Sequence, residues 1–210
     1  MPTPLEKARK DPESMKARIL EAARVLFAEY GFHGVTTRMI AKEVAIDIST
    51  LHYHWGDKEN LYEAVIEDLN DAIELKLKEI EKIVRGKSLA YRLEVAIDVM
   101  CDYLFSQPAL AKLVMFSHFL KTRSPGVFDE RLINQVSNIA IAMGLVPDKQ
   151  DVSATANARV LAVSNAIYSF TAGESFVRKI LKVDHSQYVD VVKETLKFIL
   201  IPAFTHTSEK

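Results

Sequence analysis

Two histidines and two aromatic rings fall within five consecutive residues, Leu51-His52-Tyr53-His54-Trp55, and Gly56-Asp57-Lys58-Glu59-Asn60 follows at once. Imidazole and phenol carry donors that suit phosphate oxygens and base edges. On a helix from Ile48 to Trp55, Leu51 and Trp55 stand four apart and share an inward face. Ile48, Ser49, His52 and Tyr53 then point outward, with His54 towards the rim. Ser49 permits close approach and Ile48 can meet a thymine methyl. Lys58, opening the next helix, brings a cation and a helix N-terminus to a nearby phosphate. The competing chemistry for His52 and His54 is a metal pair. Positions i and i+2 of a helix point apart, however, and no carboxylate or cysteine completes a ligand set. The expectation is recognition of duplex nucleic acid, with no metal and no cofactor.

Such a reading helix must be held by others. Ile19, Ala22, Ala23, Leu26, Phe27 and Tyr30 mark one face of a helix from Ser14 to Tyr30, and Gly31 is placed to stop it. Thr36 or Thr37 can cap a second helix, Arg38 to about Val44, and Asp47 the third. Two short helices joined by a tight turn, the second with a free face, form a helix-turn-helix. Asp57 caps again, and Leu61, Val65, Leu69, Ile73, Leu77, Ile80 and Val84 continue one stripe as far as Arg85. About 28 residues make a rod of roughly 42 Å. That exceeds what a three-helix head requires, so the rod should join the head to a second helical body.

The body reads as helices around Leu93–Leu104, Leu110–Leu120 and Phe128–Met143, then one from Asp148 towards Leu181 bent near Gly173, and a last from Ser186 to Phe204. Seven Gly and seven Pro in 210 residues leave long uninterrupted helical stretches, and no strand-period alternation interrupts them. The expected fold is all-α: an N-terminal three-helix DNA-binding domain over 1–57, joined by a long helix to a helical ligand-binding and dimerisation domain over 58–210. The charged N-terminus does not read as a secretory signal. The apolar run Val160–Gly173 is too short to span a bilayer. The lone Cys101 suits a reducing cytoplasm, where the protein is expected, away from membranes. In a helix beside Met100 and Leu104 it reads as a small buried hydrophobe. The formal net charge is −1, and residues 1–56 hold eight Lys and Arg against seven Asp and Glu. Bulk charge therefore gives DNA binding no support, and local contacts must supply it.

Thr37-x-x-Ile40-Ala41-Lys42-Glu43, Ser49-Thr50-Leu51-His52-Tyr53-His54-Trp55 and Asp57-Lys58-Glu59-Asn60-Leu61, with Leu26-Phe27-Ala28-Glu29-Tyr30-Gly31 before them, resemble the N-terminal domain of TetR-family transcriptional regulators. The resemblance covers about 50 residues in order; beyond Ala64 only length and helical layout agree. It implies a homodimeric repressor that binds a palindromic double-stranded operator and is released by a small-molecule effector. By position, Thr37, Tyr53, His54 and Lys58 match phosphate-contacting places, and Arg38, Ile48, Ser49 and His52 match places facing base edges. Glycine is common in the family where Ala45 and Ser49 stand, and tyrosine where His52 stands. Ala45 implies a turn made without a positive φ, while Ser49 and His52 bear on the operator sequence.

The body also supplies apolar walls, Met100, Leu104, Phe105, Met115, Phe116, Phe119 and Phe128, with His118, Asn138, Asn165 and Tyr168 as sparse polar anchors. That combination describes a pocket for a largely apolar effector. Val152, Ala156, Val160, Val163 and Ile167, beside Ala154, Ala158, Ala162 and Ala166, pair with Val189, Val192, Leu196, Ile199 and Ala203. Together they suggest a homodimer seam built by the two C-terminal helices. No phosphate-cradling glycine loop, H-E-x-x-H or G-x-S-x-G marks an enzyme. An all-helical enzyme and an effector-independent DNA-binding protein are the alternatives.

Overall fold

In the structure, a computed structural model, residues 2–118, 125–146 and 152–205 are described, with the backbone alone at 125–130. They form eleven helices and no strand: α1 (Pro4–Lys10), α2 (Met15–Gly34), α3 (Thr37–Val44), α4 (Ile48–Trp55), α5 (Lys58–Val84), α6 (Leu89–Ser106), α7 (Pro108–Ser117), α8 (Pro125–Ala142), α9 (Ala154–Ala172), α10 (Glu174–Leu181) and α11 (His185–Thr205). None of the described helices is long and apolar enough to cross a membrane.

The chain forms two compact units, Met1–Ile73 with Lys112–Phe119, and Glu74–Ala111 with Leu120–Lys210. The sequence boundary at 57/58 marks where a new helix starts, whereas the packing boundary falls within α5. Leu61, Tyr62, Val65, Ile66 and Leu69 are buried in the first unit, whose core also holds Ile19, Ala23, Phe27, Val35, Ile40 and Leu51.

Local signals start and stop these helices. Thr36 caps α3 by accepting from the Met39 N–H at 3.2 Å, and Asp57 does the same for Asn60 at 2.8 Å. Asp47 occupies the cap of α4 but makes no side-chain bond there. Gly31, at φ 67° and ψ 170°, breaks the path of α2 in a region only glycine enters easily. Gly56 (φ 77°) joins α4 to α5 where a Cβ would stand 2.7 Å from the Asn60 amide nitrogen.

Three expectations need correction here. Ala45 does adopt a positive φ, 58° with ψ 50°. The Ile46 N–H donates to the Ala41 carbonyl at 2.9 Å, a helix stop that closes only through a left-handed residue. Tyr30, placed with the inward residues of α2, is 56% exposed, and Ala22 and Leu26 are half-buried. They border a groove of about 720 Å³ with Val25, Glu29 and Glu43. Residues 4–10, assigned no helix, form α1. Thr3 and Glu6 make a reciprocal capping box around Pro4, and Leu5 and Ala8 pack the helix onto α2.

In the second unit, α11 lies along α6. Lys197 reaches Asp98 at 2.7 Å, Lys193 bonds Asp102, and the Phe105 ring meets Tyr188 edge-on at 5.7 Å. Tyr188 donates to the Phe170 carbonyl at 2.9 Å. Leu93, Val136, Ala140, Met143, Ala156, Val160 and Phe204 form one core cluster. The helix expected from Asp148 begins at Ala154, where Ser153 caps it, and Gly173 divides it into α9 and α10. Asp148 lies outside the described residues.

The seam residues divide against expectation. Val192 and Leu196 are 1% and 2% exposed inside the single chain, and Ala156, Val160 and Ile167 are buried with them. A stripe at helical spacing must pack on something, and here its partner is the chain's own core. The outward stripes are Ala158, Leu161, Ala162 and Asn165 on α9, and Val191, Phe198 and Ile199 on α11.

Candidate nucleic-acid interface

Leu51 and Trp55 anchor α4 from beneath, at 0% and 4% exposure, and the Trp55 indole donates to the Lys16 carbonyl at 3.2 Å. With that face fixed, Ser49, His52 and Tyr53 are exposed, Ile48 and His54 half-buried, and Tyr53 stands 83% open. Arg38 is exposed on α3 and Thr37 half-buried beside it. The structure thus brings the predicted DNA-contacting residues of α3 and α4 into one unit.

The two histidines are wired oppositely. His52 Nδ1 lies 2.6 Å from the Gly56 carbonyl, which can only accept, so Nδ1 carries a proton and in the neutral imidazole Nε2 is the acceptor. His54 Nδ1 lies 2.7 Å from the Lys16 ammonium, which can only donate, so its proton sits on Nε2. Desolvation, then the Lys16 charge, holds the His54 imidazole below its ordinary pKa. The Tyr53 and His54 rings meet edge-on at 5.2 Å, and Lys16 Nζ stands 6.0 Å from the Tyr53 centroid. Sequence reasoning did not include Lys16; it is 38 residues from His54, and no local pattern signals the meeting.

Lys58 is turned towards its own chain. Its ammonium donates to the Phe32 and Val35 carbonyls at 3.1 and 3.0 Å and lies 4.2 Å from the Phe32 centroid. Two of its three donors thus bond carbonyls in the segment that follows the Gly31 break.

Residues 19–65 match the profile of the bacterial regulatory proteins of the tetR family. The chain carries a TetR-family N-terminal domain. Among similar proteins, the transcriptional repressor AcnR of Corynebacterium glutamicum is 31% identical over 104 residues, 45% of this chain and 55% of that protein. The regulator UidR of Escherichia coli K12 is 32% identical over 105 residues, 50% of this chain and 52% of that protein. The chain spans about half the length of the curated relatives it matches. A TetR-like regulator from Rhodococcus sp. RHA1 shares the fold at TM-score 0.59 and 18% identity, over 90% of this chain and 94% of its own. The fatty acid degradation regulator FadR from Bacillus halodurans does so at 0.57 and 17%, over 87% and 94%. These likenesses place the TetR-type domain at the head of a helical fold that extends beyond it.

The predicted effector residues are drawn from both units. Met100, Leu104 and Phe105 are buried on α6, and Phe105 borders a cleft of about 360 Å³ with Asp102, His185 and Lys193. Met115 is half-buried, and Phe116 and His118 are exposed in the first unit; Asn138 and Asn165 are exposed in the second. Tyr168 is half-buried as a residue, yet its phenol is enclosed enough for desolvation to push it up to about 12. Phe119 and the Phe128 side chain lie outside the described residues. Cys101 is fully buried, its thiol pushed up to about 12 by desolvation, as a small core residue should be.

Proposed function

We propose that the protein is a DNA-binding transcriptional repressor that reads a two-fold symmetric duplex as a homodimer, with α4 in the major groove. The supporting observation is the exposed face of α4, with Ser49, His52 and Tyr53 outward over the buried Leu51 and Trp55. Arg38, Ile48, Ser49 and His52 face base edges in this reading; Thr37, Tyr53 and His54 serve phosphates, joined by the remaining donor of Lys58. With its Nδ1 proton tied to Gly56, His52 offers Nε2 as an acceptor, which suits the exocyclic amino group of adenine or cytosine. His54 offers a donor, which suits a phosphate oxygen.

One short reading helix makes few contacts, so useful affinity requires two half-sites and a dimer. The outward stripes of α9 and α11, with Phe198 81% exposed beside Ile199, are the surface a second copy would cover. Residues 58–210 then hold dimer contacts and a largely apolar effector. An effector that weakens DNA binding must itself be weakened by DNA through the same factor. The test is selection from a random duplex pool by the purified chain. An enriched inverted repeat that His52→Ala re-specifies at one base pair per half-site is expected. A pool without any enriched sequence would refute the reading.

A further inference from the structure

The whole chain is net negative, and the residues placed against bases are mostly uncharged, so attraction to a polyanion must come from cations at the rim of α4. Lys16 is one, held there by the Trp55–Lys16 hydrogen bond and by its own bond to His54. Lys7 is exposed on α1, the helix packed against α2. The first turn of α2 carries Lys16, and the Lys16 ammonium lies below the ordinary lysine pKa, first through desolvation and then through the charge of Lys7.

Among the described residues no carboxylate forms a salt bridge with Lys7 or Lys16. Glu6, beside Lys7, accepts from the Thr3 N–H at 2.7 Å to close the capping box. Of the two cations that follow on α1, Arg9 is bound to Asp68 at 2.8 Å and Asp71 at 2.7 Å on α5, and Lys10 is exposed at the end of the helix. Leu5 and Ala8 pack inward, so α1 is fixed by one side while Lys7 remains on the open one. Cations that have no ion-pair partner in the protein are free to meet a phosphate, and each such contact releases counterions from the duplex.

We propose that Lys7 and Lys16 form a phosphate-binding edge of the DNA-binding surface, so that α1 extends the contact of α4 along the duplex backbone. The inference rests on the proposed DNA-binding function. It assigns binding strength to a segment whose composition alone shows only charge.

The experiment measures binding of the full chain to a fluorescein-labelled random-sequence duplex of about 30 base pairs, enough for two half-sites one helical turn apart. Salt is varied between roughly 50 and 200 mM. Lys7→Gln and Lys16→Gln should each reduce the slope of log affinity against log salt by about one, and the double variant by about two. Lys7→Arg and Lys16→Arg should restore it. Emission of Trp55, the only tryptophan, reports whether α4 stays seated. If Lys16→Gln shifts that emission, the exposed Lys7→Gln decides alone. Weaker binding at an unchanged slope would mean that Lys16 only positions His54, and would overturn the proposal. Unchanged slopes in both variants, with wild-type binding intact, would overturn it and leave the proposed function standing. A wild-type chain that binds no duplex at any salt would overturn both.

Discussion

The N-terminal unit and the second unit are both helical, yet their sequences specify them differently. In the first, Ser14, Thr36 and Asp57 cap α2, α3 and α5, glycines break the path at Gly31 and Gly56, and α4 turns the expected face inward. In the second, helices fall near their expected places, but the expected seam is split: Ala156, Val160, Ile167, Val192 and Leu196 meet the core, while Ala158, Ala162 and Ile199 face outward. Short-range hydrogen bonding settles where a helix starts and stops. What covers each of its faces depends on residues far away in the chain.

The largest effect should come from reversing that inside–outside assignment. Val192→Asp buries an unpaired carboxylate and should cost more than about 3 kcal/mol in urea unfolding. Phe198→Glu should stay within about 0.5 kcal/mol of wild type yet sediment as a monomer. A stable, monomeric Val192→Asp chain would invert the comparison.

Within α4 the same contrast should appear at smaller scale. Leu51→Ala removes a fully buried anchor and should cost about 3 kcal/mol. Tyr53→Ala should leave stability unchanged and weaken duplex binding. Equal destabilisation by both would mean that Tyr53 packs rather than reads.

The first unit also contains a polar group it does not satisfy. The Tyr62 hydroxyl is buried without a hydrogen-bond partner among the described residues, between Phe27 and Phe32 at ring distances of 5.1 and 5.0 Å. Tyr62→Phe should therefore be neutral or stabilise by about 1 kcal/mol. Desolvation raises this phenol to about 12, above the ordinary value near 10. The folded state then keeps the proton longer than the unfolded state, so stability is whole below about pH 10 and falls as pH rises towards 12. Tyr168 and Tyr188 are raised similarly, and Tyr62→Phe should shrink the alkaline loss without abolishing it.

Ala45→Gly should stabilise by about 1 kcal/mol by relieving a side chain at φ 58°. Its measure is the same urea curve, and a loss of stability would mean that unfolded-state entropy outweighs the relief. The smallest effect is expected from His54. Its lowered pKa leaves the unfolded imidazole binding protons more readily, so stability is present above about pH 6.5 and declines as pH falls through the lower folded value. His54→Gln should flatten that decline, and an unaltered acid limb would remove His54 as its source.

The sequence by itself determined the all-helical class, the Gly31 break, the caps at Thr36 and Asp57, and the outward set Ser49, His52 and Tyr53 over Leu51 and Trp55. The capping box of α1 was also written there, as Thr3-Pro4-Leu5-Glu6. These features depend on groups within about one helical turn of each other. Tertiary structure decided what distance in sequence conceals. It brought Lys16 to His54, turned Lys58 towards the Phe32 and Val35 carbonyls, and buried Val192 and Leu196 within one chain. The left-handed Ala45 is local, closed by the Ile46–Ala41 hydrogen bond that ends α3, yet its residue type does not announce it. A period of 3.6 residues fixes which side chains share a face; only the assembled core decides what that face meets.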